Sequence, residues 1–179
     1  MDKMEQDNLQ APRVARFSKV SKERFVADFA DAFPAEAARA EEVYESLRLP
    51  ARATTGSAGY DFFMPVTVEL APGETVKIPT GIRAEMTPHY VLLLFPRSGL
   101  GFKYRLQLNN TVGVIDSDYF YSDNEGHIFA KVTNDSNEGK TVTLAADTGF
   151  AQGIFLPFGI TTDDDVSGIR NGGFGSTTK

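Results

Sequence analysis

Asn-Asn-Thr-Val-Gly-Val-Ile-Asp-Ser-Asp-Tyr, residues 109–119, carries the sequence signals around which the predicted fold is organised. Short β-type runs at residues 104–108 and 111–115 flank the asparagine pair. This pattern predicts a tight hairpin, because asparagine tolerates the left-handed backbone of such a turn. The second run leads to a carboxylate, Asp116, and an aromatic ring, Tyr119. A hairpin tip can pair with the edge of a flat ligand, and a nearby carboxylate can take a proton from water. An ordinary hairpin with a solvated aspartate is the other interpretation.

The composition indicates a soluble globular protein with one main domain. The 179 residues suffice for one full core and a small appendage, and 41% of them are apolar. The formal net charge of −6 argues against general binding to nucleic acid. No apolar run reaches membrane-spanning length and no signal-peptide core opens the chain, so we expect a cytoplasmic protein without membrane contact.

The absence of cysteine limits the kinds of metal site that this chain can form. Disulfides and thiolate metal sites are thereby excluded. The two histidines, His89 and His127, lie far apart in the sequence. Any metal is therefore expected to be a hard cation bound by oxygen atoms.

Residues 1–46 predict a partly helical extension. The polar first 20 residues are expected to be loose at their start. Ser21 is a candidate N-cap, and three phenylalanines that recur every four residues after it lie on one helix face. A second helix is predicted at residues 35–47, with Pro34 near its first turn. The simplest interpretation is a helical hairpin packed on the main domain or on a neighbouring subunit, and a partner-binding module is the alternative.

The chain after Pro50 predicts an all-β domain. Many short strands separated by turn residues favour a sandwich, jelly roll or barrel over βαβ units. The predicted strands are residues 60–64, 67–70, 74–79, 82–86, 91–95, 106–108, 112–115, 127–133, 140–144 and 151–158. The glycine-rich tail, residues 168–179, has little to pack and is expected to be mobile without ligand.

Four further stretches carry more polar chemistry than a scaffold needs. Residues 57–61 place Asp61 just inside a strand. Residues 96–101 combine an arginine, a serine and two glycines, which suits phosphate oxygens, although a plain glycine turn has the same composition. Gln152 stands among apolar neighbours, where backbone groups can also satisfy its amide. The tail is similar to a phosphate cradle but lacks the lysine of a Walker A motif.

Together these five stretches resemble the motifs of the trimeric dUTPase (deoxyuridine triphosphate nucleotidohydrolase) family. The motifs are residues 58–61, 96–101, 113–119, 151–155 and 172–177, in that order. Each is short, and their order and spacing make the signal specific. The resemblance implies a distorted jelly-roll or β-barrel domain at residues 47–167, a lid at residues 168–179, and a homotrimer with three shared active sites. Residues 1–46 lie outside it.

The resemblance also implies a reaction, the hydrolysis of dUTP to dUMP and pyrophosphate, which limits uracil in DNA and supplies dUMP for dTMP synthesis. Asp116 would orient and deprotonate the water that attacks the α-phosphate. Gln152 would act near the α- and β-phosphates, and Asp61 would be a supporting acid. Mg²⁺ would bind the three phosphates and water molecules rather than a protein cage.

The implied substrate contacts fall into two groups. Outside the tail they are Arg97, Ser98 and Gly99 at the triphosphate, Asn110, Gly113 and Ile115 at the uracil edge, and Tyr119 under the deoxyribose, where a ribose 2′-OH would clash. In the tail they are Phe174 stacked on uracil, with Arg170, Gly175, Ser176 and Thr177 toward the γ-phosphate. Closure of such a tail would exclude water from the site.

Three departures from the family pattern are visible. Residues 120–124 form an insertion beside the implied sugar pocket. Gly149 stands where the family commonly has a cation before its fourth motif. Arg170 stands two residues before Gly172, whereas the family often has an arginine three residues before its glycine pair.

Two other functions remain open. A dCTP deaminase shares the fold and the phosphate motifs, but it needs a glutamate within the third motif. In this sequence the third motif contains Asp116 and no glutamate, and the next glutamate is Glu125. A non-catalytic nucleotide sensor that uses its N-terminal helices as a contact surface is the second alternative, and the intact Asp116 and tail favour catalysis over it.

Overall fold

The computed structural model describes residues 11–168, 170 and 172, and it consists mainly of short strands. The elements in chain order are β1 (Ala15–Lys19), α1 (Lys22–Ala32), a first 3₁₀ helix (Pro34–Arg39), α2 (Ala40–Ser46), β2 (Tyr60–Phe63), β3 (Val68–Leu70), β4 (Thr75–Pro79), β5 (Ile82–Met86), β6 (Tyr90–Pro96), α3 (Ser98–Tyr104), β7 (Leu106–Leu108), β8 (Gly113–Ile115), a second 3₁₀ helix (Ser117–Tyr121), β9 (Phe129–Asn134), β10 (Val142–Leu144) and β11 (Gly149–Pro157).

The strands of the described residues form four antiparallel sheets. Their strand orders are β1-β5, β10-β3, β2-β11-β6-β8 and β4-β9-β7. Phe62, Leu92, Ile115 and Ile128 are buried in one core between the sheets. The predicted mostly β fold of the jelly-roll type, with a small helical part, is confirmed; the sheets do not close into a single barrel over the described ranges.

Helix α1 begins at the predicted cap. The Oγ atom of Ser21 accepts a hydrogen bond from the backbone N–H of Arg24 at 3.2 Å. Phe25 and Phe29 are completely buried in a second core, and Phe33 packs against it. The second predicted helix is divided into a 3₁₀ helix and α2, since 3₁₀ turns are frequent at helix starts.

Residues 15–19, for which no element was predicted, form strand β1, and the expected loose start of the chain lies outside the described residues. Strand β1 pairs with β5, from Ala15 opposite Met86 to Lys19 opposite Ile82. The ring of Phe17 lies 5.6 Å from that of Phe62 in the main core. The five residues carry a weak local signal, and their conformation is set by a partner strand more than 60 positions away.

The prediction of a hairpin is wrong, because strands β7 and β8, which flank the turn, belong to different sheets. Strand β7 pairs with β9, and β8 pairs with β6. The turn between them exists, and the backbone N–H of Thr111 donates to the carbonyl of Leu108 at 2.9 Å. The left-handed residue is Thr111, with φ 66°, rather than an asparagine. A β-branched residue is strained in that conformation, and such strain is found most often at functional sites.

Candidate active site

The first cluster of predicted site residues lies at one end of β2, β11 and β6. In the sheet, Gln152 is opposite Asp61 on one side and Phe95 on the other. Arg97 follows β6, and its Nε atom lies 3.4 Å from a carboxylate oxygen of Asp61. Its guanidinium also donates to the carbonyl of Gly149 at 3.2 Å. The structure therefore brings Asp61, Arg97 and Gln152 together, as three neighbouring strands end there.

Two glycines leave the space that these side chains occupy. A Cβ atom at Gly149 would lie 2.8 Å from Nη1 of Arg97, and one at Gly59 would lie 2.7 Å from Oε1 of Gln152. Gly149 is the position at which the family commonly carries a cation, and here the guanidinium of Arg97 fills that region. Neither glycine was assigned a role from sequence, because the close approach involves residues distant along the chain.

Helix α3 begins directly after Arg97. The N–H groups of Ser98 and Gly99 stand in its first turn, where an α-helix has no acceptor for them. Arg97, Ser98 and Gly99 are all exposed. The sequence predicted a glycine turn or a phosphate-binding segment here but no helix.

The second cluster joins the third motif to the tail. The guanidinium of Arg170 donates to the carboxylate of Asp116 and, at 2.9 Å, to that of Asp118. It also lies 5.7 Å from the ring centre of Tyr119. Arg170 was predicted at the γ-phosphate, and in this structure it lies against Asp116 and the ring of Tyr119.

The hydroxyl of Tyr119 is held from two sides. It donates to the carbonyl of His127 at 2.7 Å and accepts from the amide of Asn124 at 2.7 Å. The side chain is buried, and this burial raises the pKa of the Tyr119 hydroxyl. Asn124 belongs to the insertion at residues 120–124, so the inserted segment takes part in fixing this ring.

The two clusters lie at opposite ends of β6. Ile115 is opposite Leu92, which places Asp116 just beyond that end. Arg97 lies beyond the other end, five residues after Leu92. Asp116 lies one residue further in the opposite direction, so about six residues, or roughly 20 Å at about 3.3 Å per residue, separate it from Arg97. Gly113 is opposite Leu94, so the turn containing Asn110 points toward the Arg97 end. A single chain does not bring Asp116 and Arg97 to one phosphorus atom.

Some predicted features have no described counterpart. Phe174, Gly175, Ser176 and Thr177 lie outside the described residues. Among the residues that the structure describes, no group of three or more Asp, Glu or His side chains is placed to hold a metal ion. No helix there has the length and apolar character needed to span a membrane.

Comparison with known proteins identifies the family. The family model described as dUTPase matches residues 45–178. The deoxyuridine 5′-triphosphate nucleotidohydrolase of Lactococcus lactis subsp. lactis is 42% identical over 134 residues, covering 73% of this chain and 88% of its own. That of Laribacter hongkongensis is 42% identical over 136 residues, covering 72% and 87%.

Solved structures agree with these relatives. The crystal structure of dUTPase from Streptococcus mutans has a TM-score of 0.60 and 35% identity, covering 81% of this chain and 97% of its own. The dUTPase of phage phi11 of S. aureus, at 22% identity and a TM-score of 0.59, shares the fold over 88% of this chain and 98% of its own. Because both the sequence and the fold match over most of its length, the chain belongs to the dUTPase family.

Proposed function

We infer that the chain is a dUTP diphosphatase, which hydrolyses dUTP to dUMP and pyrophosphate. The observation that carries this inference is the family match over residues 45–178, joined to 42% identity with nucleotidohydrolases of that name. The reaction limits uracil in DNA and supplies dUMP for dTMP synthesis, and we assign it to the cytoplasm. In this proposal residues 47–167 form the catalytic domain, 168–179 the lid and 1–46 an extension.

The cluster at the end of β6 is proposed to hold the triphosphate. Arg97 is exposed and cationic, and it is oriented by Asp61 and by the carbonyl of Gly149. Forked N–H donors of arginine suit phosphate oxygens. Ser98 and Gly99 add a hydroxyl and backbone N–H groups, and Gln152 contributes its amide near the α- and β-phosphates.

Asp116 is proposed as the general base. A water molecule attacks the α-phosphorus while Asp116 accepts its proton. The bond from the α-phosphorus to the bridging oxygen breaks, and pyrophosphate leaves with the electron pair. Asn110, Gly113 and Ile115 hold the uracil edge, and Tyr119 lies under the deoxyribose. Arg170, which pairs with Asp116 in the structure, is proposed to move toward the γ-phosphate when the tail closes.

A homotrimer with shared sites is part of this proposal, and the separation of the two clusters supports a site shared between subunits. Asp116 and Arg97 lie too far apart in one chain to act on the same atom, so a second subunit supplies the missing half. Large apolar side chains are exposed on β8, near the end of β11 and just after it, at Val114, Leu156 and Phe158, and they suit an interface between subunits. The predicted mass in solution is three times that of one chain.

Mg²⁺ is proposed to arrive with the nucleotide. A triphosphate carries several negative charges, whereas Arg97 supplies one positive charge that is already shared with Asp61. This donor set fits a cation held by phosphate oxygens and water molecules. When bound, Mg²⁺ would neutralise charge on the phosphates. Arg97, Ser98 and Gly99 would orient the phosphate chain that carries it.

Pyrophosphate release across the deoxynucleoside triphosphates, with and without Mg²⁺, tests the function. We expect release from dUTP that depends on Mg²⁺ and little release from the other substrates. Ammonia released from dCTP would instead identify the deaminase alternative. Tight dUTP binding without turnover would identify a nucleotide sensor. Light scattering of the same sample tests the trimer, and a fully active monomer would contradict the shared site.

A further inference from the structure

Helix α1, which lies outside the family match, contacts the loop that follows the third motif. The backbone N–H and the Oγ of Ser21 donate to the carboxylate of Glu125 at 2.8 and 2.7 Å. Arg24 donates to the carbonyl of Asp123 at 3.4 Å. Glu125 has φ 61°, a conformation that costs energy outside glycine and so depends on such contacts. The start of α1 therefore holds the inserted loop in place.

A second contact connects the same helix to the base of this loop. His127 is completely buried, and its Nδ1 atom lies 2.6 Å from a carboxylate oxygen of Asp28. Its Nε2 atom accepts a hydrogen bond from the backbone N–H of Gly81 at 2.8 Å. Because Nε2 accepts, Nδ1 carries the proton and donates it to Asp28. The imidazole is thus fixed from both sides.

These contacts end at the ring that is proposed to recognise the sugar. The carbonyl of His127 accepts the hydroxyl of Tyr119, and the amide of Asn124 donates to the same hydroxyl. Asn124 and His127 flank Glu125 in the chain, so both partners of the hydroxyl belong to the segment that α1 holds. A displacement of this segment would move the distal edge of the Tyr119 ring.

We propose that Asp28 and Glu125 are positioning residues for Tyr119, and that α1 thereby sets the discrimination of dUTP against UTP. The inference rests on the proposed function of Tyr119 beneath the deoxyribose. Rejection of a 2′-OH depends on the closeness of the ring to the sugar, so a small shift of the ring opens space for the extra oxygen. The extension is in this sense part of the substrate-binding unit rather than an accessory.

The test compares steady-state kinetics of full-length variants with dUTP and with UTP. In Asp28→Ala the ratio of kcat/KM for dUTP to that for UTP should fall, roughly tenfold, because misplacement by a fraction of an ångström is enough to change such rates. Asp28→Asn keeps an acceptor oxygen for Nδ1–H and should restore most of the ratio. Asp31→Ala, which removes an exposed carboxylate from the same helix, is the matched control and should leave the ratio unchanged.

The ratio separates positioning from folding, because a smaller folded fraction lowers both activities equally. Asp28→Ala with a wild-type ratio overturns the proposal, whatever its total activity. If that variant does not fold, Glu125→Ala decides: it removes both bonds from Ser21, and a several-fold fall in the ratio is expected. An unchanged ratio there overturns the proposal as well. Failure of the wild-type protein to hydrolyse dUTP would instead refute the proposed function.

Discussion

The guanidinium of Arg170 donates to the carboxylate of Asp116, and only 13% of the arginine side chain is exposed. The contact joins the beginning of the tail to the proposed general base. The contact occupies a carboxylate oxygen that a general base would have to present to the attacking water molecule. We therefore expect Arg170 to leave Asp116 when the tail closes over the substrate, as the proposed role of Asp116 requires.

Asp116→Asn should abolish chemistry while leaving binding nearly intact. The amide keeps the size of the side chain but cannot accept the proton, so the single-turnover rate should fall roughly 100-fold or more. Binding of a non-cleavable dUTP analogue, measured by calorimetry, should change little. Asp123→Asn, an exposed carboxylate in the adjacent loop, is the control. Lost binding together with an unaltered chemical rate would remove Asp116 from its role.

Removal of the tail should lower kcat, and two truncated chains test this. A chain that ends at residue 172 keeps Arg170 but lacks the rest of the predicted lid, and a chain that ends at residue 167 lacks both. We expect kcat to fall at least about tenfold in each, because closure excludes water and aligns the phosphates. Nucleotide hydrolysis under saturating dUTP measures this. Wild-type kcat in the chain that ends at 167 would contradict the lid.

Gly149→Ala should weaken recognition of the triphosphate. The new Cβ would lie 2.8 Å from Nη1 of Arg97, so the guanidinium must move. We expect binding of a non-cleavable dUTP analogue to weaken about tenfold, which corresponds to roughly 1.4 kcal/mol, with little effect on dUMP. Gly56→Ala, where the added atom meets nothing within 4 Å, is the matched control. Equal losses for both nucleotides would argue against a role of Arg97 at the outer phosphates.

The stability of the protein should fall on acidification through the titration of His127. Burial lowers the pKa of this imidazole, although Asp28 and Glu125 act in the opposite direction and Arg24 acts with burial. Below pH 6.5, the ordinary value, the unfolded chain binds a proton that the folded chain does not. The contribution of His127 to the free energy of unfolding is therefore fully present above about pH 6.5 and is lost as the pH falls below that value.

Urea unfolding at pH 7.5 and pH 5.5 measures this effect. We expect the wild-type protein to lose about 1 kcal/mol from this group between the two conditions. His127→Gln should be less stable overall and should lack this part of the pH dependence. His89→Asn, which replaces the exposed histidine, should keep it. An identical pH dependence in His127→Gln and the wild type would rule out His127 as its source.

Local patterns predicted those features that depend on neighbouring residues. The cap at Ser21 and the buried face formed by Phe25 and Phe29 follow from helical spacing, and the structure has both. The motifs also singled out Asp61, Arg97 and Gln152, and the structure brings these three side chains together at one edge of the sheet; their role at a site stays a prediction. The hairpin prediction failed, since a turn sequence specifies the turn but not the partners of its strands.

The sequence by itself determined the family, the mostly β fold and the identity of the polar residues, because these depend on short patterns and their order. Only the tertiary structure decided which distant segments meet. It joined β1 to β5, sent β7 and β8 to different sheets, and placed Asp28 against His127 across 99 positions. The physical reason is that strand pairing and buried hydrogen bonds reward the whole packed arrangement, whereas local propensity concerns only a few adjacent residues.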